Sequence, residues 1–181
     1  MSQNHKAALL IIDMINDFQF GYGPELAEKA AAIAKPLSKL KKKAVSRGIP
    51  VIYINDHYEL WQANLEKIMK KCRNPLSAPV MEAIAPGDDD YFLIKPKHSA
   101  FYGTALNTLL YHLKVDTLIL TGLAGNICVL FTANDAYMRG YSLIVPPDTM
   151  ASVSEEDEQY ALRMMENVLK AKLEPSDQIK L

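Results

Sequence analysis

The chain has 181 residues, of which 49% are hydrophobic and 23% charged, with a formal net charge of -1 and two cysteines. These figures suit a single globular domain over 1–181 with a sizeable buried core. They exclude a disulfide framework, and no basic stretch interleaved with aromatics offers nucleic acid a surface. No apolar run approaches the roughly 20 residues that span a bilayer. The opening residues carry no leader pattern, so a reducing cytoplasm is the expected compartment.

In chain order, the first strand is expected at Ala7–Ile12, an unbroken apolar run. A long helix follows over Glu25–Arg47, where Pro36 predicts a break or kink and Gly48 a stop. The lysines at 39, 41, 42 and 43 with Arg47 form the solvated face of that helix. Strands are expected at Pro50–Ile54 and Tyr91–Ile94, with a helix over Leu60–Cys72 between them and an irregular stretch from Arg73 to Asp90. The pattern then gives a helix over Thr104–Leu113, a strand at Thr117–Leu120, a helix over Ile127–Arg139 and a strand at Ser142–Val145. A last helix is expected over Glu155–Lys172, with Ser152 and Glu155 in capping-box spacing. A weak sixth strand is expected at Gln178–Leu181. Short strands rich in Ile, Leu and Val, alternating with helices, predict a three-layer αβα, Rossmann-like fold around a parallel sheet of five to six strands.

Ligands of such sheets bind beyond the carboxyl ends of the strands. Asp13 follows the first strand; Asn55, Asp56 and His57 follow the second. Lys95 follows the third, and the Gly122–Cys128 turn follows the fourth. A carboxylate, an ammonium and a thiol therefore converge on one edge, and a thiol needs such partners to act as a nucleophile. Cys128 opens a helix, whose first amides and dipole favour a thiolate. Read alone it is equally a small buried apolar residue. Cys72, beside Lys70, Lys71 and Arg73, reads as an ordinary helix residue.

The run Ala8-Leu9-Leu10-Ile11-Ile12-Asp13-Met14-Ile15-Asn16-Asp17-Phe18 resembles the first strand and aspartate of the isochorismatase-like cysteine hydrolases. Leu93 to Thr104 resembles their lysine segment, and Gly122 to Val129 their nucleophile turn. Asp135 to Tyr141 and Pro147 to Ser152 are similar to the helix and loop that follow. The resemblance implies a catalytic triad of Asp13, Lys95 and Cys128; Lys97 is a rival for the lysine, and the spacing to Phe101 selects Lys95. It also implies a cis peptide between Leu123 and Ala124, with the Ala124 and Cys128 amides as the oxyanion hole.

By the same resemblance, Asp13 takes the thiol proton and passes it to a leaving amine, and the thioester is then hydrolysed. The implied activity is cleavage of a small amide, carbamoyl or ureido compound, without cofactor or metal. Nicotinamidases of this family hold a metal on Asp-x-His, whereas Asp56 and His57 are adjacent here. Isochorismatases proper lack the cysteine. Nicotinamidase, isochorismatase-type hydrolysis and a non-catalytic binding module on the same fold remain the alternatives. Phe18, Asn55, Trp61, Phe101 and Tyr102 are candidate substrate-binding residues, and family members assemble as homodimers or tetramers.

Overall fold

The computed structural model describes residues 6–181, and the opening residues 1–5, where no leader pattern is expected, lie outside them. Its strands are β1 (Ala7–Ile12), β2 (Val51–Asp56), β3 (Tyr91–Lys95), β4 (Thr117–Leu123), β5 (Ser142–Ile144) and β6 (Met150–Ala151). They form one six-stranded sheet in the order β3-β2-β1-β4-β5, with β6 also pairing β4. Every pairing is parallel. β1 is buried from Ala8 through Ile12, and β4 along its whole length. This is why both read as unbroken apolar runs: helices cover each face.

One face packs against α1 (Gly23–Ser46), α2 (Leu65–Cys72) and α3 (Ala78–Ala83), through Leu9, Ile11, Tyr53, Leu37 and Ile68 among others. The other packs against α4 (Leu106–Leu113), α5 (Leu130–Met138) and α6 (Glu155–Asn167), through Leu10, Ile54, Leu110, Ala133 and Met165. Strand order reverses at β1: the chain moves outward through β2 and β3, then returns to β4 on the other side. The crevice at the carboxyl ends of β1 and β4 is thus where a ligand site belongs. Among the described residues, no helix is long and apolar enough to cross a membrane.

Several expectations need correction. Pro36 does not break α1, which runs through it, because the buried stripe Leu26, Ala30, Ile33, Leu37, Leu40 and Ala44 holds both halves to the sheet. α2 starts only at Leu65, capped by the Asn64 side chain, because Tyr58, Glu59 and Trp61 all take positive φ in the loop before it. The stretch from 73 to 90 contains α3, a single short helix with proline in its first turn. α6 is capped by Ser154 and not Ser152, and ends at Asn167. No strand forms at 178–181; Lys172 bridges β5 instead, and Ile179 is buried against the α1 face. Lysines of α1 tie the chain together: Lys41 pairs with Asp90 at 2.6 Å and Lys43 donates to the Ile179 carbonyl.

Candidate active site

Asp13 is the first residue past β1, and the parallel pairing there continues as its N–H donates to the Ile54 carbonyl (3.0 Å). Its φ of 51° is a left-handed conformation that a side chain resists by about 1–2 kcal/mol. That backbone turn accompanies an aspartate only 7% exposed. Its Oδ1 accepts the Asp56 N–H at 3.0 Å, and its Oδ2 lies 2.7 Å from the Lys95 ammonium. Lys95 reaches it from the end of β3, two strands away, and its Nζ also donates to the Lys97 carbonyl at 3.2 Å. Lys95 is thus the lysine beside the carboxylate; Lys97 contributes its backbone oxygen.

Cys128 comes from the far side of the crevice. After β4 the chain forms a π-turn over Gly125–Val129 before α5 begins. Its wide spacing appears in the Val129 N–H, which donates to the Ala124 carbonyl (3.2 Å). The turn is fastened at several points. The Asn126 N–H donates to the Ser152 hydroxyl (3.0 Å), and the Thr132 hydroxyl donates to the Cys128 carbonyl (2.7 Å). Thr132 also accepts the Ala100 N–H at 3.0 Å, which couples the nucleophile turn to the loop after Lys95.

Among the described residues every peptide bond is trans, so the cis bond expected between Leu123 and Ala124 is absent. A trans bond is lower in energy by about 3 kcal/mol. Gly122, within β4, takes a φ of +110°, and Ala124 enters the π-turn in an extended conformation. A Cβ on Gly122 would stand 2.0 Å from the Ile12 carbonyl oxygen. Gly122→Ala is therefore expected to prise β4 from β1 just below Asp13 and Cys128. We expect a loss of about 3 kcal/mol or more in chemical denaturation. Unchanged stability would show that the close approach is not needed.

The three groups meet: the Lys95 Nζ lies 3.5 Å from the Cys128 Sγ as well as 2.7 Å from Asp13. Burial raises the Asp13 carboxyl above its ordinary range, against the opposing pull of Lys95 and of hydrogen bonds from Lys95, Cys128 and the Asp56 N–H. Burial alone would lower Lys95, yet the charges of Asp13 and Cys128 outweigh it and the net shift is upward. The Cys128 thiol is pushed up to about 12, first by burial and then by the Asp13 charge, with Lys95 opposing. The amides of the turn therefore do not store a thiolate, contrary to what its position suggests. A thiol raised in this way is not ionised by its position alone, and attack requires a base. Cys72 is also raised to about 12 by burial, and is fully buried in the α1 face.

The candidate substrate contacts scatter. Phe18 is 1% exposed and packs in the α1-side core. Asn55 is buried on that same face, its amide donating to the Ile15 carbonyl at 2.7 Å, while its Oδ1 has no partner. Phe101 lies under the Arg139 guanidinium, 4.7 Å from its ring centre, whereas Tyr102 is exposed. Trp61 is exposed and stacks on His57 at 3.9 Å between ring centres. His57 Nδ1 accepts the Glu59 N–H, and Asp56 Oδ1 accepts the Tyr58 N–H. Both are thus committed within their own turn. Among the described residues no three His, Cys, Asp or Glu side chains form a group that could hold a metal ion. Three residues that the sequence does not assign to the site also lie at it. Ser152 and Thr132 brace the turn, and His98 places Nδ1 4.0 Å from the Cys128 Sγ. Only His98 had a readable signal: it stands three residues past Lys95, inside the lysine segment.

The chain is similar to known proteins in sequence and fold. The model of the Isochorismatase domain matches residues 7–173. The isochorismatase family protein YaaI of Bacillus subtilis (strain 168) is 56% identical over 99% of this chain and 98% of its own length. The crystal structure of N-carbamoylsarcosine amidase from Thermoplasma acidophilum superimposes with a TM-score of 0.75 at 32% identity, covering 97% of this chain and 99% of that one. That of pyrazinamidase/nicotinamidase from Streptococcus mutans UA159 gives 0.74 at 31%, covering 93% and 100%. With its parallel sheet and these likenesses in agreement, the chain belongs to the isochorismatase family of hydrolases.

Proposed function

We propose that the protein is a cysteine amidohydrolase that cleaves a small amide, carbamoyl or ureido compound through a Cys128 thioester. The observation supporting this most directly is the meeting of the Asp13 carboxylate, the Lys95 ammonium and the Cys128 sulfur at the strand-order reversal. As Sγ attacks the carbonyl carbon, Asp13 takes the thiol proton. Lys95, 3.5 Å from the sulfur, compensates the negative charge passing between the two groups. The Cys128 amide, with that of Ala124, is the proposed donor pair for the oxyanion. The C–N bond then breaks, the amine leaves protonated, and water opens the thioester. The likeness to a carbamoyl-compound amidase supports carbamoyl and ureido substrates within that range.

The test is an ammonia-release screen of small amides, carbamoyl and ureido compounds, paired with mass spectrometry of Cys128. We expect at least one compound to release ammonia and leave an acyl mass on Cys128, with Cys128→Ser inactive. Release that persists in Cys128→Ser, or a library without any turnover or adduct, would sink the reading. Asp13 must be ionised to accept the thiol proton, and burial holds its pKa above 3.8. The rate kcat/KM is therefore expected to fall about tenfold per pH unit as pH drops below that raised value. An acid limb at or below the ordinary aspartate range would place the base elsewhere.

A further inference from the structure

Resting on the reading of Cys128 as the nucleophile, we propose that Thr132 is the positioning residue that sets the Cys128 sulfur against the Lys95 ammonium. Asp13 follows β1 and Lys95 ends β3, and the two are held to each other directly, at 2.7 Å. Cys128 arrives separately, on the π-turn after β4. The 3.5 Å from the Lys95 Nζ to the Cys128 Sγ therefore depends on what ties that turn to the lysine segment. The distance matters because the ammonium favours an ionised sulfur, and a charge acts more weakly as it moves away.

Thr132 makes that tie with one atom. It is fully buried, and its hydroxyl donates to the Cys128 carbonyl at 2.7 Å while accepting the Ala100 N–H at 3.0 Å. The first bond alone is ordinary, because threonines in helices commonly bond the carbonyl four residues back. The second is not local: Ala100 lies five residues past Lys95, on another segment of the chain. A hydroxyl has one proton and two lone pairs, so donating to Cys128 leaves it free to accept from Ala100.

α5 grips the same loop at two further points. The Ser99 hydroxyl donates to Asp135, and the Arg139 guanidinium lies over the Phe101 ring, 4.7 Å from its centre. Arg139 in turn holds Asp135 at 2.9 Å. Thr132, Asp135 and Arg139 are spaced by three and four residues, so they share one side of the helix. At the start of the loop, the Lys97 carbonyl accepts the Lys95 ammonium at 3.2 Å. Of these three α5 residues, Thr132 alone also bonds the residue that carries the sulfur.

The experiment follows alkylation of Cys128 by iodoacetamide at about pH 9 in the full chain, by mass spectrometry of the peptide that carries it. The S–C bond forms as iodide leaves and the thiol proton passes to solvent, so the rate reads how readily the thiol ionises, with no substrate present. Thr132→Val keeps the shape and removes the hydroxyl, Thr132→Ala removes it should valine not pack, and Thr132→Ser retains it. The hydroxyl-free variant is expected to react about tenfold more slowly, and Thr132→Ser within about twofold of wild type. With Asp13→Asn and Lys95→Met combined, neither charge remains, and removing the Thr132 hydroxyl is expected to change the rate by less than about twofold. A wild-type rate without the hydroxyl overturns the proposal, and so does a serine variant as slow as valine. The same tenfold loss in the charge-free background also overturns it, since the hydroxyl would then only shape the turn. Ammonia release that persists in Cys128→Ser would remove Cys128 as the nucleophile while leaving these alkylation rates as they stand, so the two failures are distinct.

Discussion

Cys128→Ala is expected to reduce turnover of the amide substrate by about 10⁴-fold or more while leaving the fold intact. The large effect follows from the chemistry: Asp13 and Lys95 can shift a proton and balance a charge, but neither is a replacement electrophile trap. Removing the nucleophile deletes the thioester path altogether, and the remaining machinery offers only positioning of water. The small structural effect follows from placement, since Cys128 is partly exposed and its carbonyl, not its sulfur, is what Thr132 holds. Cys128→Ser is expected to fall nearly as far. Its hydroxyl is a weaker acid than a thiol already raised to about 12, and the buried carboxylate cannot activate it. Rates from ammonia release, with thermal midpoints of each variant, decide the matter. An alanine variant within tenfold of wild type would move the nucleophile to another residue.

Much of this site was legible because strand ends are legible. Asp13 and Lys95 each follow an apolar run rich in branched residues, and parallel sheets place such residues on one edge. Cys128 follows such a run after a glycine turn. What escaped the sequence depends on contacts between distant segments. Ser152 reads as a helix cap from its spacing to Glu155, yet Ser154 caps α6 while Ser152 accepts the Asn126 N–H from the neighbouring strand end. Local spacing permits both serines, and only the tertiary partner selects. Pro36 costs α1 a hydrogen bond, but a continuous buried stripe outweighs it. The π-turn has no periodic signature, being a single turn whose extra residue sits at the nucleophile. The rise of the thiol has no sequence signal either: a helix amide is visible in sequence, whereas burial beside Asp13 is a property of the assembled crevice.

Lys95→Met should have the largest effect on stability, and it separates holding the site from running it. The Lys95 side chain is 3% exposed and that of Asp13 is 10%, so removing the ammonium leaves a carboxylate buried without its counter-charge. Breaking such a pair costs about 3–5 kcal/mol. The sign with pH follows from Asp13, whose pKa burial already holds above 3.8 and which loses the cation that opposes that rise. A group whose folded pKa lies above its unfolded value stabilises at low pH and loses that contribution as pH increases. The deficit of Lys95→Met relative to wild type should therefore be full near neutral pH and shrink as pH falls toward 4. Wild type itself should lose stability as pH rises past 10.5, where the raised Lys95 gives up its proton later than it would in the unfolded chain. Adding Asp13→Asn to Lys95→Met removes the stranded charge and should recover most of the lost stability, with a coupling energy of about 2–3 kcal/mol in the double-mutant cycle. Activity should not recover, because the base is gone along with the ammonium. Additive stability losses in the cycle would show that the 2.7 Å contact carries no net coupling. Recovered turnover in the double variant would show that the pair only supports the fold, and that Cys128 is activated by something else.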